Sequence, residues 1–182
     1  MKNSWFSFLV HLRSLVTVSI LTALAIASKF ATFFIGATKF DPAGPAVIMI
    51  AGMMYGPIAG AIVGGLADFL GFLVYNPTGF AWNPVVTVGN ICLGFFAGLF
   101  YWIFKYFSKP KQAAALPIII STFAGRLIGF FVTTWGLIAT YKMDFYGTLM
   151  ARIPSEPFLM IWYIVVTLAI MLWVEKNKWS EE

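Results

Sequence analysis

Between Ala43 and Tyr75 a single charge, Asp68, interrupts an otherwise apolar run. A helix crosses the hydrocarbon core of a bilayer in about 20 residues, so this run is too long for one crossing. Tyr55-Gly56-Pro57 breaks it, because proline has no N–H to donate and glycine tolerates the backbone of a turn. Two helices, 43–56 and 58–75, are predicted. Four further apolar stretches, at 14–36, 84–107, 113–140 and 154–174, are long enough to span. The sequence therefore predicts an all-α integral membrane protein, with residues 1–182 forming a single transmembrane domain of six helices.

Composition gives the same answer from the surface. Only 10% of the residues are charged and 60% are hydrophobic, where a soluble domain carries roughly 25% charged residues. So little charge cannot solvate a globule, which excludes an ordinary cytosolic enzyme, a disordered chain and a nucleic-acid module. The net charge of +5 is too thinly spread for a basic groove and reads as membrane orientation. Lys2, Arg13, Lys105, Lys109, Lys111, Lys176 and Lys178 fall on one set of loops and termini, and Lys39, Lys142 and Arg152 on the other. The positive-inside rule places both termini in the cytoplasm. The loops around Thr38–Asp41, Asn76–Phe80 and Lys142–Arg152 then face outside. Lys2 and Arg13 ahead of Ala23-Leu24-Ala25 also fit a signal peptide, but the apolar run continues through Ala31 and Phe34, so a retained helix is expected.

Chemistry-bearing residues are few. Cys92 is the one cysteine, which excludes an internal disulfide, and His11 is the one histidine. There is no metal-ligand cluster, no phosphate-binding glycine loop and no nucleophile–base constellation. No catalytic residue, metal or cofactor is expected, and any energy from ATP has to come from another polypeptide.

Small residues recur every fourth position: Ala23, Ala27 and Ala31 in the first span, Gly56, Gly60 and Gly64 in the third, Gly94 and Gly98 in the fourth, Gly125 and Gly129 in the fifth. Such stripes let helix backbones approach closely in lipid. The glycines read as internal packing; the alanines serve either packing or a face for a partner membrane protein. Asp68 and Arg126 lie at similar depth in their spans, and an ion pair between them is expected, either structural or coupled to a ligand. Lys29, near the outer end of its span, can snorkel.

Asn83, Thr87 and Asn90 are spaced i, i+4, i+7 and share one helical face that starts at the outer surface. Against lipid that face would be wasted; it suits a wet cavity or interhelical hydrogen bonds. Trp82 lies above it, Thr133, Thr134, Trp135 and Tyr141 line the outer half of the fifth span, and Lys39 sits in the first outer loop. Arg152, at the same level, suits a carboxylate ligand, or an interfacial anchor paired with Glu156. An outward-opening pocket is the economical reading.

The tract Ala51-Gly52-Met53-Met54-Tyr55-Gly56-Pro57, followed by Gly60 to Gly64 and Ala67-Asp68-Phe69-Leu70-Gly71, resembles the second and third helices of S components of energy-coupling factor (ECF) transporters. Pro77-Thr78-Gly79-Phe80 to Thr87, ending in Gly94 to Gly98, resembles the same proteins. Trp135, Tyr141 and Leu149-Met150-Ala151-Arg152-Ile153 resemble the branch usually labelled the folate family. The resemblance spans residues 14 to 175. Two segments depart from the folate pattern. Trp82-Asn83-Pro84-Val85-Val86-Thr87 stands where folate-type members carry Phe-Pro-Gly-Phe-Thr, and Ile153-Pro154-Ser155-Glu156 where they follow the arginine with lysine and asparagine. Pantothenate suits the asparagine-lined face about as well as a folate.

The resemblance implies a riboflavin-uptake-like six-helix bundle in a bacterial plasma membrane, and a binding subunit with no enzymatic activity. Such a protein takes a small vitamin from outside, with the first-helix loop and the loop before the fourth helix as lids. Lys39, Trp82, Asn83, Thr87, Asn90, Trp135, Tyr141 and Arg152 are the candidate substrate contacts. Ala23, Ala27 and Ala31 would dock on a membrane coupling subunit carrying two cytoplasmic ATPases, whose work topples the S component. The rival reading is a stand-alone secondary transporter of a small organic anion, but no half-to-half repeat is visible and Asp68 is the only carboxylate deep in a span. An intramembrane enzyme lacks its residues, and a purely structural role leaves the outer aromatic and amide cluster without a use.

Overall fold

A computed structural model describes residues 12–35, 38–76, 81–107 and 115–178, with backbone alone at 34, 35, 38, 39 and 178. Helix α1 (Leu12–Ala27) continues as a 3-10 turn, Ser28–Ala31, and leads into a hairpin of β1 (Phe33–Ile35) and β2 (Thr38–Phe40). Helices α2 (Gly44–Tyr55), α3 (Pro57–Val74), α4 (Pro84–Phe107) and α5 (Ala115–Tyr141) follow. A short α6 (Phe145–Arg152), a 3-10 turn (Ile153–Ser155) and α7 (Glu156–Lys178) complete the described chain.

The first span is shorter than the sequence predicts. Rather than running to residue 36, it stops at Ala31, and the chain turns into the hairpin with Phe33 opposite Phe40. Thr32-Phe33-Phe34-Ile35 is β-branched and aromatic, the composition that favours extended backbone. The predicted outer loop 142–152 holds α6 instead. Asp144 caps that helix by accepting a hydrogen bond from Gly147 N at 2.6 Å. Where the sequence predicts a sixth span at 154–174, the helix starts at Glu156 and runs to Lys178.

Among the described residues, five stretches are long and apolar enough to cross a membrane: α1 with its 3-10 turn, α3, α4, α5 and the α6–α7 segment. The exception is α2. Its 12 residues rise only about 18 Å, short of a bilayer core of about 30 Å. It is the helix held innermost, buried without a break from Ala46 to Met53. A helix apolar on every side is stable only when enclosed.

Glycines allow that enclosure. A Cβ at Gly94 would run into the carbonyl oxygen of Gly60, and one at Gly98 would meet the Gly52 carbonyl at 2.6 Å, so α4 lies backbone against backbone on α3 and α2. On its other side α4 meets α5, where a Cβ at Gly125 would come within 2.8 Å of Ala97 Cβ. The α2–α3 break follows from its residues. Gly56 adopts φ 103°, open to glycine and strained for other residues. Pro57 opens α3 and cannot donate to the carbonyl of Met53, four residues back. The indole N–H of Trp102 fills that vacancy at 3.1 Å.

Contacts sort the elements by end. The α2–α3 turn meets the C-terminal part of α4, where Tyr101 and Lys105 both bond Glu175 near the end of α7. The other end gathers the end of α1, the hairpin, the end of α3, the start of α4, the end of α5 and α6. The charge of its loops makes this second end the one expected outside, and it is called the outer end below.

Candidate functional site

Two polar groups occupy the outer half of the bundle. The first centres on Asp68 of α3. Its carboxylate accepts from Thr87 Oγ1 at 2.7 Å and from Asn90 Nδ2 at 2.9 Å, both on α4. Lys29 Nζ lies 3.6 Å from Asp68 Oδ1, with both side chains largely buried. Gly71 makes the room: a Cβ there would sit 3.1 Å from the Lys29 methylenes. Lys29 is thus held inward rather than snorkelling. The Trp82 indole donates to Thr87 Oγ1 at 3.0 Å and lies edge-on to Phe69.

The expected Asp68–Arg126 pair does not form. Helix α4 packs between α3 and α5 and separates the two charges. Arg126 turns to α7 and grips Glu156 with Nη2 at 2.9 and 3.0 Å and Nε at 3.2 Å. That fork-on-carboxylate geometry is the strong form of a charged hydrogen bond. Glu156 in the first turn of α7 also faces the positive end of the helix dipole. Glu156 is therefore not the partner of Arg152.

Aromatic rings back the cations of this second group. The Arg126 guanidinium lies over the Tyr163 ring at 5.2 Å. Arg152, at the end of α6, lies over the Phe130 ring at 5.2 Å and donates from Nη1 to Thr134 Oγ1 at 2.9 Å. Thr134 is about two turns nearer the outer end of α5 than Arg126. The hairpin exit is tied to the same helix: Tyr163 OH donates to the Asp41 carbonyl at 2.7 Å, and Trp162 Nε1 to the Pro42 carbonyl at 2.8 Å. Phe40 packs between Phe33, Phe158 and Trp162. The hairpin exit is thereby anchored on the residue that backs Arg126, and both arginines lie over an aromatic face.

The candidate contacts divide. Asn83 is 5% exposed and fully engaged. Its Nδ2 donates to Gly136 O at 3.2 Å, and its Oδ1 accepts from Val85 N at 3.0 Å and Thr140 Oγ1 at 3.2 Å, so it caps α4 and ties it to α5. Thr87 and Asn90 serve Asp68. Tyr141 OH donates to Ala81 O at 2.7 Å, fixing the loop before α4. Trp135 is 65% exposed on the outside of α5, the position of a lipid-facing residue. Lys39 is placed by its backbone opposite Phe34 in the hairpin, and its side chain lies outside the described residues, as does the loop 77–80. Arg152 is brought to the second group. The roles of Glu156 and Tyr163 escape the sequence reading, although an intramembrane Arg126 demands a carboxylate and few are available.

The alanine stripe faces away from the bundle. Ala23, Ala27 and Ala31 are exposed while Val18, Thr22, Ala25 and Ser28 turn inward. Leu12, Val16, Ile20 and Leu24 extend the exposed face along α1. Among the described residues no group of histidine, cysteine and carboxylate side chains could hold a metal ion.

Residues 13–174 match the family described as ECF transporter, substrate-specific component, and the chain belongs to it. The fold agrees. The S component of a bacterial ECF transporter superposes with a TM-score of 0.63 at 20% identity, over 91% of this chain and 95% of that one. No curated protein sequence matches the chain. The protein is thus a multi-pass transport subunit rather than an enzyme, and membership implies an ECF module of coupling and ATPase subunits as its partner.

Proposed function

We propose that this S component binds a small water-soluble vitamin bearing a carboxylate, folate-like or pantothenate, at the outer end of its bundle in a bacterial plasma membrane. The observation that carries the reading is Arg152. Its guanidinium is held on Phe130, bonded to the neutral Thr134, and has no carboxylate partner among the described residues. A cation fixed in that way is suited to an anionic ligand. The exposed stripe of Ala23, Ala27 and Ala31 would dock on the coupling subunit, whose two ATPases supply the energy for toppling and release.

The test is mass spectrometry of small molecules that co-purify with the detergent-solubilised protein, backed by titration with folate and pantothenate. A carboxylate-bearing vitamin retained by the wild type and lost from Arg152→Ala is the expected result. A neutral or cationic nutrient retained in its place would refute the assignment.

A further inference from the structure

A threonine inside a helix commonly donates its hydroxyl to the carbonyl three or four residues back. Thr17, Thr22 and Thr133 do so, bonding Arg13 O, Val18 O and Gly129 O at 2.9, 2.8 and 2.8 Å. Thr122 on α5 and Thr167 on α7 do not. Both are 0% exposed, and neither hydroxyl has a hydrogen-bond partner among the described residues.

The two positions are related. Thr122 and Arg126 are i, i+4 on α5, and Glu156, Tyr163 and Thr167 are i, i+7, i+11 on α7. Each threonine therefore shares the face that its helix turns to the other, because those faces meet where Arg126 grips Glu156 and lies over Tyr163. The helices run in opposite directions: α5 ends beside Ala81 at the outer end, and α7 ends beside Tyr101 at the inner one. One turn inward from Arg126 and one turn inward from Tyr163 are thus the same level of the α5–α7 seam, about 6 Å along the helix. A further turn inward stand Ile118 and Met171, both buried and apolar. The two hydroxyls lie between an ionic layer and an apolar one.

An orphaned hydroxyl is costly out of water, and two at one level suit a shared partner. Arg126 one turn away repels a cation there, and an anion finds that guanidinium already held by Glu156. A water molecule can accept from one hydroxyl, donate to the other and give its second proton to a helix carbonyl, whose oxygen has a second lone pair. We infer that Thr122 and Thr167 form a binding site for one water, which hydrogen-bonds α5 to α7 inward of the Arg126–Glu156 pair. The site is independent of the vitamin reading.

Thr122→Val and Thr167→Val keep the shape of the side chain and remove one hydroxyl each. Each should lower the melting temperature of the purified full chain by about 2–4 °C, because the water loses a partner and the remaining hydroxyl is left bare. The double variant should melt no lower than the less stable single one, since no hydroxyl is then left to serve. A high-resolution crystal structure of the wild type should show one solvent peak within hydrogen-bond distance of both Oγ1 atoms. Single variants that melt higher than the wild type would overturn the inference, because bare hydroxyls would then have been removed. Shifts that add in the double variant would overturn it too, as would a structure in which the hydroxyls bond each other or their own helix carbonyls. If a valine variant fails to fold, the wild-type crystal structure decides.

Discussion

Replacing Asp68 should be costly in a way that replacing its ionic partner is not. The Asp68 carboxylate is the shared acceptor for Thr87 Oγ1 at 2.7 Å and Asn90 Nδ2 at 2.9 Å, and it faces Lys29 Nζ at 3.6 Å. Interhelical hydrogen bonds in membrane proteins contribute about 1 kcal/mol each. The ion pair is too long for a tight hydrogen bond, and its ammonium can swing toward the outer surface once released, so about 1 kcal/mol is assigned to it as well. Asp68→Leu removes all three and should destabilise the protein by about 3 kcal/mol, whereas Lys29→Met removes one and should cost about 1 kcal/mol. The double variant should cost no more than Asp68→Leu alone, a coupling of about 1 kcal/mol in the double-mutant cycle. Unfolding in mixed detergent, followed by tryptophan fluorescence, measures all three variants. A Lys29→Met cost equal to that of Asp68→Leu would refute the reasoning, because the charge pair and not the shared acceptor would then hold α1, α3 and α4 together.

Four further outcomes are expected. Arg152→Ala should weaken vitamin binding at least about tenfold, the loss of one charged hydrogen bond, with little change in melting temperature by scanning fluorimetry. Ala27→Trp, on the outward face of α1, should leave binding by the purified subunit intact and abolish uptake in cells that carry the whole transporter. Asn83→Ala should lower stability by about 1–3 kcal/mol in detergent unfolding, because Val85 N, Thr140 and Gly136 all lose their partner. Trp102→Phe should cost about 1–2 kcal/mol in the same assay, since the Met53 carbonyl facing Pro57 is left without a donor.

Depth along the membrane normal is legible in this sequence and rotation about a helix axis is not. Apolar length places α4 at 84–107, and the Gly56-Pro57 break divides α2 from α3, because both signals are local. The glycine stripes announce close backbone approach for the same reason. Pairing across helices depends on which neighbour each face meets. Asp68 and Arg126 share a depth, yet α4 stands between them, and each takes a different partner. Asn83 reads as a pocket residue because its spacing with Thr87 and Asn90 is helical, although its position before Pro84 is equally that of a helix cap. The hairpin is hidden by its length, since three-residue strands are too short to show a period of two. Helix α6 is concealed in a stretch that reads as an outer loop, with Asp144 as its one local signal.

The contact of Gly60 with Gly94 and of Gly52 with Gly98 has a mechanical consequence. Where two helices meet through side chains, rotamer changes let one slide on the other. Where they meet through backbone atoms, no such layer exists to deform. The three inner helices therefore behave as one solid piece, and parting them means opening main-chain contacts in the middle of the molecule. Freedom to change shape is left to what surrounds that piece, the hairpin among it, hung from α7 by Trp162 and Tyr163. Any rearrangement of this bundle has to leave its centre intact, because the meeting backbones have no layer that can yield.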